Sequence, residues 1–349
     1  MNKKEKRTEL SELGEFGLID HLTKDLKNRH KETVKGVGDD AAILDYGNKL
    51  VVATSDLLME GIHFDLMYTP LKHLGYKAVT VNLSDVYAMN GYPRQIIISI
   101  ALSAKFSLEQ VEELYRGIRL ACERYNVDIA GGDTTSSMTG LAINITALGE
   151  ASEGSTVFRS GAVKNDIICV SGDLGASYMG LQVLEREKKI FMEDPEIKPL
   201  LEGYDYVIER QLKPEARRDV IEFLSEREVV PTSMIDISDG LSSEINHICT
   251  NSGKGCRLFA EHIPFDNETV KVAGEMNIEP LMAALNGGED YELLFTVRPD
   301  DYKKISDVAV IKAIGHITTP EEGLNLVSPD GSVIKLSSGG WNSMGKKGK

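Results

Sequence analysis

The sequence predicts an α/β protein of two domains, and three observations carry that expectation. A chain of 349 residues is long for one hydrophobic core and comfortable for two. Short apolar, β-branched runs recur along it and alternate with segments of helical periodicity. The polar stretch Glu150 to Gly154 is the best linker, dividing the chain into 1–150 and 151–349.

Composition narrows the class of partner. Hydrophobic residues make up 42% of the chain and charged residues 27%, the balance of a soluble globular enzyme. No apolar run approaches the ~20 residues of a membrane helix, and the charged stretch Met1 to Glu9 is not a signal peptide. A cytoplasmic protein without membrane contact is expected. Cys122, Cys169, Cys249 and Cys256 sit in apolar segments without metal-ligand spacing and read as buried thiols. A formal charge of −15 argues against nucleic acid, which is gripped by clustered Lys and Arg. An acidic protein can still hold phosphates if metal ions reverse the local sign.

Taken in order, Leu13, Phe16, Ile19, Leu22 and Leu26 give the buried stripe of a helix over Ser11 to Lys27. Asn28 to Val37 reads as a loop leading to the Gly38-Asp39-Asp40 turn. Ile43–Leu44 and Leu50–Ala53 form a strand pair turning near Gly47-Asn48. The second strand is expected to stop at Thr54-Ser55-Asp56, delivering three oxygen-bearing side chains to one edge. Leu71 to Asn90 is a helix whose Asn82 and Asp85, three apart, share a face. A core-satisfying network accounts for that pair as readily as a ligand site does. Gln95 to Leu102 is an apolar strand, and Ser107-Leu108-Glu109-Gln110 is a capping-box start to a scaffold helix. Val127 to Ala130 returns as a strand ending at Gly131-Gly132-Asp133-Thr134, where two glycines permit close approach of backbone to a ligand. Leu141 to Leu148 alternates apolar and polar residues, so one of its faces is exposed or covered by a partner.

Beyond the linker, Ile167 to Val170 is a strand, Ser171 to Gly175 a glycine turn and Ser177 to Lys188 a helix. This unit resembles a phosphate site but lacks the Walker lysine motif and the full dinucleotide fingerprint, so a tight connection is the simpler account. Lys213-Pro214-Glu215-Ala216-Arg217-Arg218 opens a helix with Pro in its first turn. Ser233 to Ile237 is a strand, and Ser238-Asp239-Gly240 introduces a helix over Leu241 to Thr250. Asn286-Gly287-Gly288-Glu289-Asp290 precedes the strand Tyr291 to Val297, and short strands around Ile311, Leu324 and Val333 complete a second sheet.

One pattern recurs in four segments: an apolar run, then Gly or a hydroxyl residue, then Asp. Asp40, Asp56, Asp85, Asp133, Asp236 and Asp239 cannot all ionise within one cleft without cations, because each like charge raises its neighbours' pKa. Either they are dispersed or metals bind, and the recurrence favours several Mg²⁺ ions, which take carboxylate, hydroxyl and phosphate oxygens. With no zinc-type ligands and no haem or flavin pattern, such a site points to nucleotide and phosphoryl chemistry. The Walker and protein-kinase signatures are absent, so a nucleotide must be held in another way.

Gly14-Glu15-Phe16 with Ile19, Gly38-Asp39-Asp40-Ala41, Thr54-Ser55-Asp56 through Gly61-Ile62-His63-Phe64, Asn82-Leu83-Ser84-Asp85 with Ala88-Met89, Gly131-Gly132-Asp133-Thr134, Arg159-Ser160-Gly161-Ala162, Lys213-Pro214, Asp236 to Leu241, Gly287 to Leu293 and Gly339-Gly340-Trp341 together resemble the thiamine-monophosphate kinase family. That family belongs to the aminoimidazole-ribonucleotide-synthetase-like superfamily, whose members bind ATP without a P-loop. The resemblance implies an N-terminal α/β domain whose sheet pairs with a second copy's in a homodimer, and a C-terminal α/β domain closing over the nucleotide. It implies ATP-dependent phosphorylation of thiamine monophosphate to thiamine diphosphate by direct Mg-assisted transfer, the last step of thiamine diphosphate biosynthesis. By the same resemblance Asp40, Thr54, Ser55, Asp56, Asp85, Asp133, Asp236 and Asp239 would be Mg²⁺ ligands, with Asp56, Asp85, Asp133 and Asp236 carrying catalysis. Gly132 with Asp133, Arg159 and Ser238 would contact ATP, while His63, Glu289 and Trp341 would contact thiamine phosphate. The number of Mg²⁺ ions and any use of K⁺ stay open, and Ile190 to Tyr206 matches nothing.

The chemistry is consistent with the resemblance. A phosphate monoester with a second pKa of about 6 is largely ionised at neutral pH and needs no general base to act as nucleophile. Sister families that make selenophosphate or dehydrate a carbamoyl group depend on an N-terminal reactive Cys or a C-terminal Cys; the first cysteine here is Cys122 and the last residue Lys349. A metal-dependent phosphatase would instead release inorganic phosphate, and a nucleotide-binding sensor would bind ATP without turnover.

Overall fold

The computed structural model describes Thr23 and residues 31–36, 38–47 and 50–336. The Gly14-Glu15-Phe16 motif, Trp341 and, apart from Thr23, the helix expected over Ser11 to Lys27 lie outside the described residues.

Two β-sheets organise the chain. The first holds β1 (Thr33–Lys35), β2 (Ala42–Asp45), β3 (Leu50–Met59), β4 (Tyr92–Ser103), β5 (Asp128–Ser137) and β6 (Ala142–Ala151), in the spatial order β1-β2-β3-β6-β4-β5. Its neighbours are antiparallel except β4 and β5, a parallel pair joined, as such pairs must be, by a helical crossover. That crossover is α2 (Leu108–Tyr125), which begins with the capping box expected at Ser107: Gln110 N–H donates to Ser107 Oγ and Ser107 N–H to Gln110 Oε1. It packs on α1 (Leu71–Ala88), which lies against β3, β4 and β6. Covered on both sides, α1 is buried without interruption from Leu74 to Ser84.

The second sheet holds β7 (Ile167–Ser171), β8 (Ser233–Asp236), β9 (Gly255–Phe259), β10 (Leu293–Val297), β11 (Ile311–Thr318), β12 (Leu324–Val327) and β13 (Val333–Lys335), ordered β13-β12-β9-β11-β7-β10-β8. Around it lie α3 (Ala176–Glu193), α4 (Asp205–Leu212), α5 (Arg218–Glu226), α6 (Leu241–Ser252), α7 (Asn267–Glu275), α8 (Pro280–Asn286) and α9 (Pro299–Ile305). One core runs from Val52, Ile98 and Ile145 of the first sheet into Val220, Leu224, Met234 and Phe295 of the second unit. A second core, with Ile168, Val170, Leu258 and Ile314, fills the opposite face of the second sheet. All four cysteines are buried and free.

Four expectations change. The strand expected to stop at Thr54 continues to Met59, because β6 pairs with it residue for residue from Leu50↔Ala151 to Met59↔Ala142. The Gly131-Gly132-Asp133-Thr134 segment is strand rather than strand end, hydrogen-bonded along β4 after a bulge at Ala130. Lys213 to Arg217 open no helix: α4 stops at Leu212 and α5 begins at Arg218, while the Glu215 carboxylate accepts hydrogen bonds from the hydroxyls of Tyr76 and Tyr125, both at 2.6 Å. A short strand, β1, also occupies the loop expected over Asn28 to Val37.

Candidate active site

Strand parity builds the first wall. Successive side chains of β3 point to opposite faces, so Val52, Thr54, Asp56 and Leu58 turn toward α1. Thr54 Oγ1 donates to Asp85 Oδ2 at 2.5 Å, and the Asp56 backbone N–H donates to Asn82 Oδ1 at 3.0 Å. Asn82 is itself anchored by its amide donating to Ala78 O. The helix therefore presents Asp85 at the floor of a cleft whose rim is Asp56.

The second sheet supplies the opposing wall. β8 ends at Asp236, whose Oδ2 accepts from Ser84 Oγ at 2.6 Å. Asp40, in the turn before β2, is gripped by the two-pronged guanidinium of Arg159 at 2.9 and 3.1 Å, a geometry that fixes both partners. Carboxylate oxygens of Asp40, Asp85 and Asp236 lie within 4.8 Å of one another. Asp40 and Asp236 are buried.

Such crowding has an electrostatic signature. Burial, followed by the charges of Asp56, Asp236 and Asp40, holds the Asp85 carboxyl well above the usual carboxylate range. Burial and then the charge of Asp40 push Asp236 up to about 8, against the opposing hydrogen bond from Ser84. Three like groups converging on one point, all hard oxygen donors, are a set that a hard divalent cation such as Mg²⁺ satisfies.

Two loops carry the remaining candidate residues. Ser238 and Asp239 follow Asp236 in the turn to α6, where Asp239 N–H donates to Glu244 Oε1 at 2.9 Å. The Gly287-Gly288-Glu289 loop folds over that turn, with Glu289 N–H donating to Ser238 O at 2.7 Å. Gly288 is required here: its φ is +74°, and a Cβ would sit 2.5 Å from Ser238 O. Glu289 and Tyr291 also adopt left-handed backbone, with φ of +58° and +52°, a strained conformation for side chains of their size. The Glu289 carboxylate is held by Lys77 at 2.9 Å and by Gln211 Nε2 at 2.8 Å. His63 Nδ1 accepts from Met59 N–H at 3.0 Å, tying down the loop after β3.

Three expected site residues stand elsewhere. Ser55 faces the other side of the sheet, its hydroxyl 2.9 Å from that of Thr146. Asp133 pairs with Ser99 on β4, in a row continued by Asn144 and Leu57. It is therefore also on that other face, exposed, and roughly 14 Å from β3 at three strand spacings. The glycine before it answers to strand pairing, since a Cβ on Gly132 would lie 1.9 Å from Ile98 O. The glycine turn before α3 is no vacant phosphate site, because the buried Asp290 carboxylate accepts from the N–H groups of Gly175 and Ser177. Lys77, Gln211 and Glu244 belong to none of the sequence motifs, and Ser84 stands in one, Asn82-Leu83-Ser84-Asp85, without an assigned role. Lys77 alone left a signal, a lysine flanked by the apolar positions Leu74, Tyr76, Ala78 and Val79 of the helical stretch.

Two mixed α/β sheets with a carboxylate cluster where they meet define the class, and residues 38–151 match the family model described as AIR synthase related protein, N-terminal domain. The chain is 36% identical over 332 residues to the thiamine-monophosphate kinase of Aquifex aeolicus, covering 95% of this chain and 98% of the relative. It is 30% identical to the thiamine-monophosphate kinase of Bacillus subtilis, covering 95% and 99%. The solved structure of AaThiL complexed with AMPPCP and TMP superposes with a TM-score of 0.81 at 34% identity, over 96% of this chain and 99% of that one. The chain belongs to the thiamine-monophosphate kinase family. The hydrogenase maturation protein HypE, at 17% identity and a TM-score of 0.67, shares the fold alone.

Proposed function

We propose that this chain transfers the terminal phosphoryl group of ATP to thiamine monophosphate, giving ADP and thiamine diphosphate. The observation that carries the reading is the convergence of Asp40, Asp85 and Asp236 within 4.8 Å, in a family one of whose members is solved with AMPPCP and TMP bound. Mg²⁺, when bound, supplies charge neutralisation between two polyanions that would otherwise repel. Asp40, Thr54, Asp56, Asp85, Asp236 and Asp239 would hold it. We assign Arg159, which grips Asp40, and Ser238, two residues beyond Asp236, to ATP, and His63, Glu289 and Trp341 to thiamine monophosphate. An acceptor phosphate already ionised at neutral pH leaves the protein to position and neutralise rather than to abstract a proton.

Ser55, Gly132 and Asp133 enter this reading through a homodimer. The face of the first sheet turned away from α1 exposes Leu57 at 51% and Ile97 at 39% beside the row of Ser55, Asn144 and Thr146. We propose that a second copy covers it and that Ser55 and Asp133 serve there, at the junction of two chains. The reading also carries a division into units 1–150 and 151–349 and a cytoplasmic setting, in keeping with four free, buried thiols. Among the described residues no helix is long and apolar enough to cross a membrane.

The test is incubation with ATP, Mg²⁺ and thiamine monophosphate, followed by chromatography. Thiamine diphosphate with equimolar ADP supports the reading. Inorganic phosphate released in place of thiamine diphosphate, with thiamine or ADP as its co-product, shows a phosphatase, and ATP binding without turnover shows a sensor; either outcome overturns it.

A further inference from the structure

Lys77 sits where a cation is least expected, in the buried middle of α1, with a side chain only 4% exposed. Its ammonium lies 2.9 Å from Glu289 Oε1 and donates to Gln211 O at 3.1 Å. Gln211 in turn donates from Nε2 to Glu289 Oε2 at 2.8 Å and accepts from Ser177 Oγ at 2.6 Å. Both oxygens of the Glu289 carboxylate are thus engaged, one by the helix that carries Asp85 and one by the second unit.

Stability alone gives a poor account of this arrangement. Removing an ammonium from water costs several kcal/mol, and replacing a buried ion pair with apolar groups is often neutral or stabilising. A positional account fits better. Glu289 has a left-handed backbone, so its side-chain direction is set by what holds it rather than by relaxed geometry. Lys77 and Asp85 are eight residues apart on one helix, about 12 Å of axial rise. A single rigid element therefore grips Glu289 near its middle and presents a cluster carboxylate near its C-terminal end.

We propose that Lys77 is a positioning residue for the acceptor: it fixes the Glu289 carboxylate at a set distance from the carboxylate cluster and offsets its charge, so that an anionic acceptor phosphate is not repelled. The inference rests on the kinase reading above. Lys77 acts through Glu289 and needs no contact with substrate.

Steady-state kinetics with ATP, Mg²⁺ and thiamine monophosphate on the wild type, Lys77→Met, Glu289→Gln and the double variant tests it. Lys77→Met is expected to raise KM for thiamine monophosphate about tenfold, with KM for ATP and kcat changed by less than about threefold. In the Glu289→Gln background the same change should add less than about twofold, because the group it works through is already altered. Additive effects in the double variant, or a fall in kcat together with a lower melting temperature and an unchanged KM for thiamine monophosphate, overturn the proposal. Lys77→Arg, which keeps the charge and serves if the methionine variant does not fold, should raise KM for thiamine monophosphate by no more than about threefold. A larger loss toward ATP than toward thiamine monophosphate in either variant also overturns it. A wild type that makes no thiamine diphosphate removes the kinase reading and this proposal with it, whereas an active wild type with an additive cycle removes only the role of Lys77.

Discussion

Replacing Asp236 with Asn should strengthen the metal-free protein while abolishing its activity. Asp236 is buried beside Asp40, and its pKa is pushed from 3.8 up to about 8. Because the folded-state pKa is raised, the proton it keeps stabilises the fold fully below the ordinary aspartate pKa, and that stability is lost as pH climbs through about 8. At about 1.4 kcal/mol per pH unit, the displacement amounts to roughly 6 kcal/mol across the window. An Asn carries no charge to bury, and its side-chain oxygen can still accept from Ser84 Oγ. At about pH 8.5 in a chelator the variant should therefore melt on the order of 5–10 °C above the metal-free wild type, and the gap should shrink as pH falls until the two nearly coincide at about pH 4. Millimolar Mg²⁺ with an ATP analogue should raise the wild-type melting temperature and leave the variant's almost unmoved, since ligands that bind only the folded state stabilise it. Thermal melts across pH, with and without chelator, measure all of this. A metal-free wild type whose stability is flat from about pH 5 to 8.5, with no gain in the variant, would show that these carboxylates do not converge in the folded chain.

Asp56→Asn should abolish phosphoryl transfer, the loss falling on turnover, whereas Glu289→Gln should chiefly raise KM for thiamine monophosphate and leave ATP affinity intact; calorimetry and kinetics showing the reverse division would refute the split of the site. Gly132→Ala should destabilise by about 2–4 kcal/mol, because a Cβ would meet Ile98 O at 1.9 Å and β4 or β5 must shift; an unchanged urea midpoint would count against the β4–β5 register. Light scattering at micromolar protein should report a dimer, and a clean monomer would refute covering of the Leu57 and Ile97 face by a second copy.

Much of this protein was legible in its sequence because the relevant signals are local. The capping box at Ser107, the alternation of Leu141 to Leu148, the Gly-Gly-Glu-Asp turn and the acids set after apolar runs each depend on neighbours a few residues away. Their order along the chain was enough to mark the family and its fold. Which of those acids meet was not legible. β3 extends through Asp56 only because β6, some ninety residues later, pairs with its whole length. That pairing sets the parity that sends Thr54 and Asp56 toward α1 and Ser55 to the opposite face. Asp133 is distant in a single chain because the sheet order places β6 and β4 between it and β3. The Lys77–Glu289 pair joins residues more than two hundred positions apart, and no local propensity encodes it. Residue type determines what a side chain can bind, while strand register and the packing of one sheet against the other decide which side chains share a cleft, since those depend on contacts that exist only once the chain is closed.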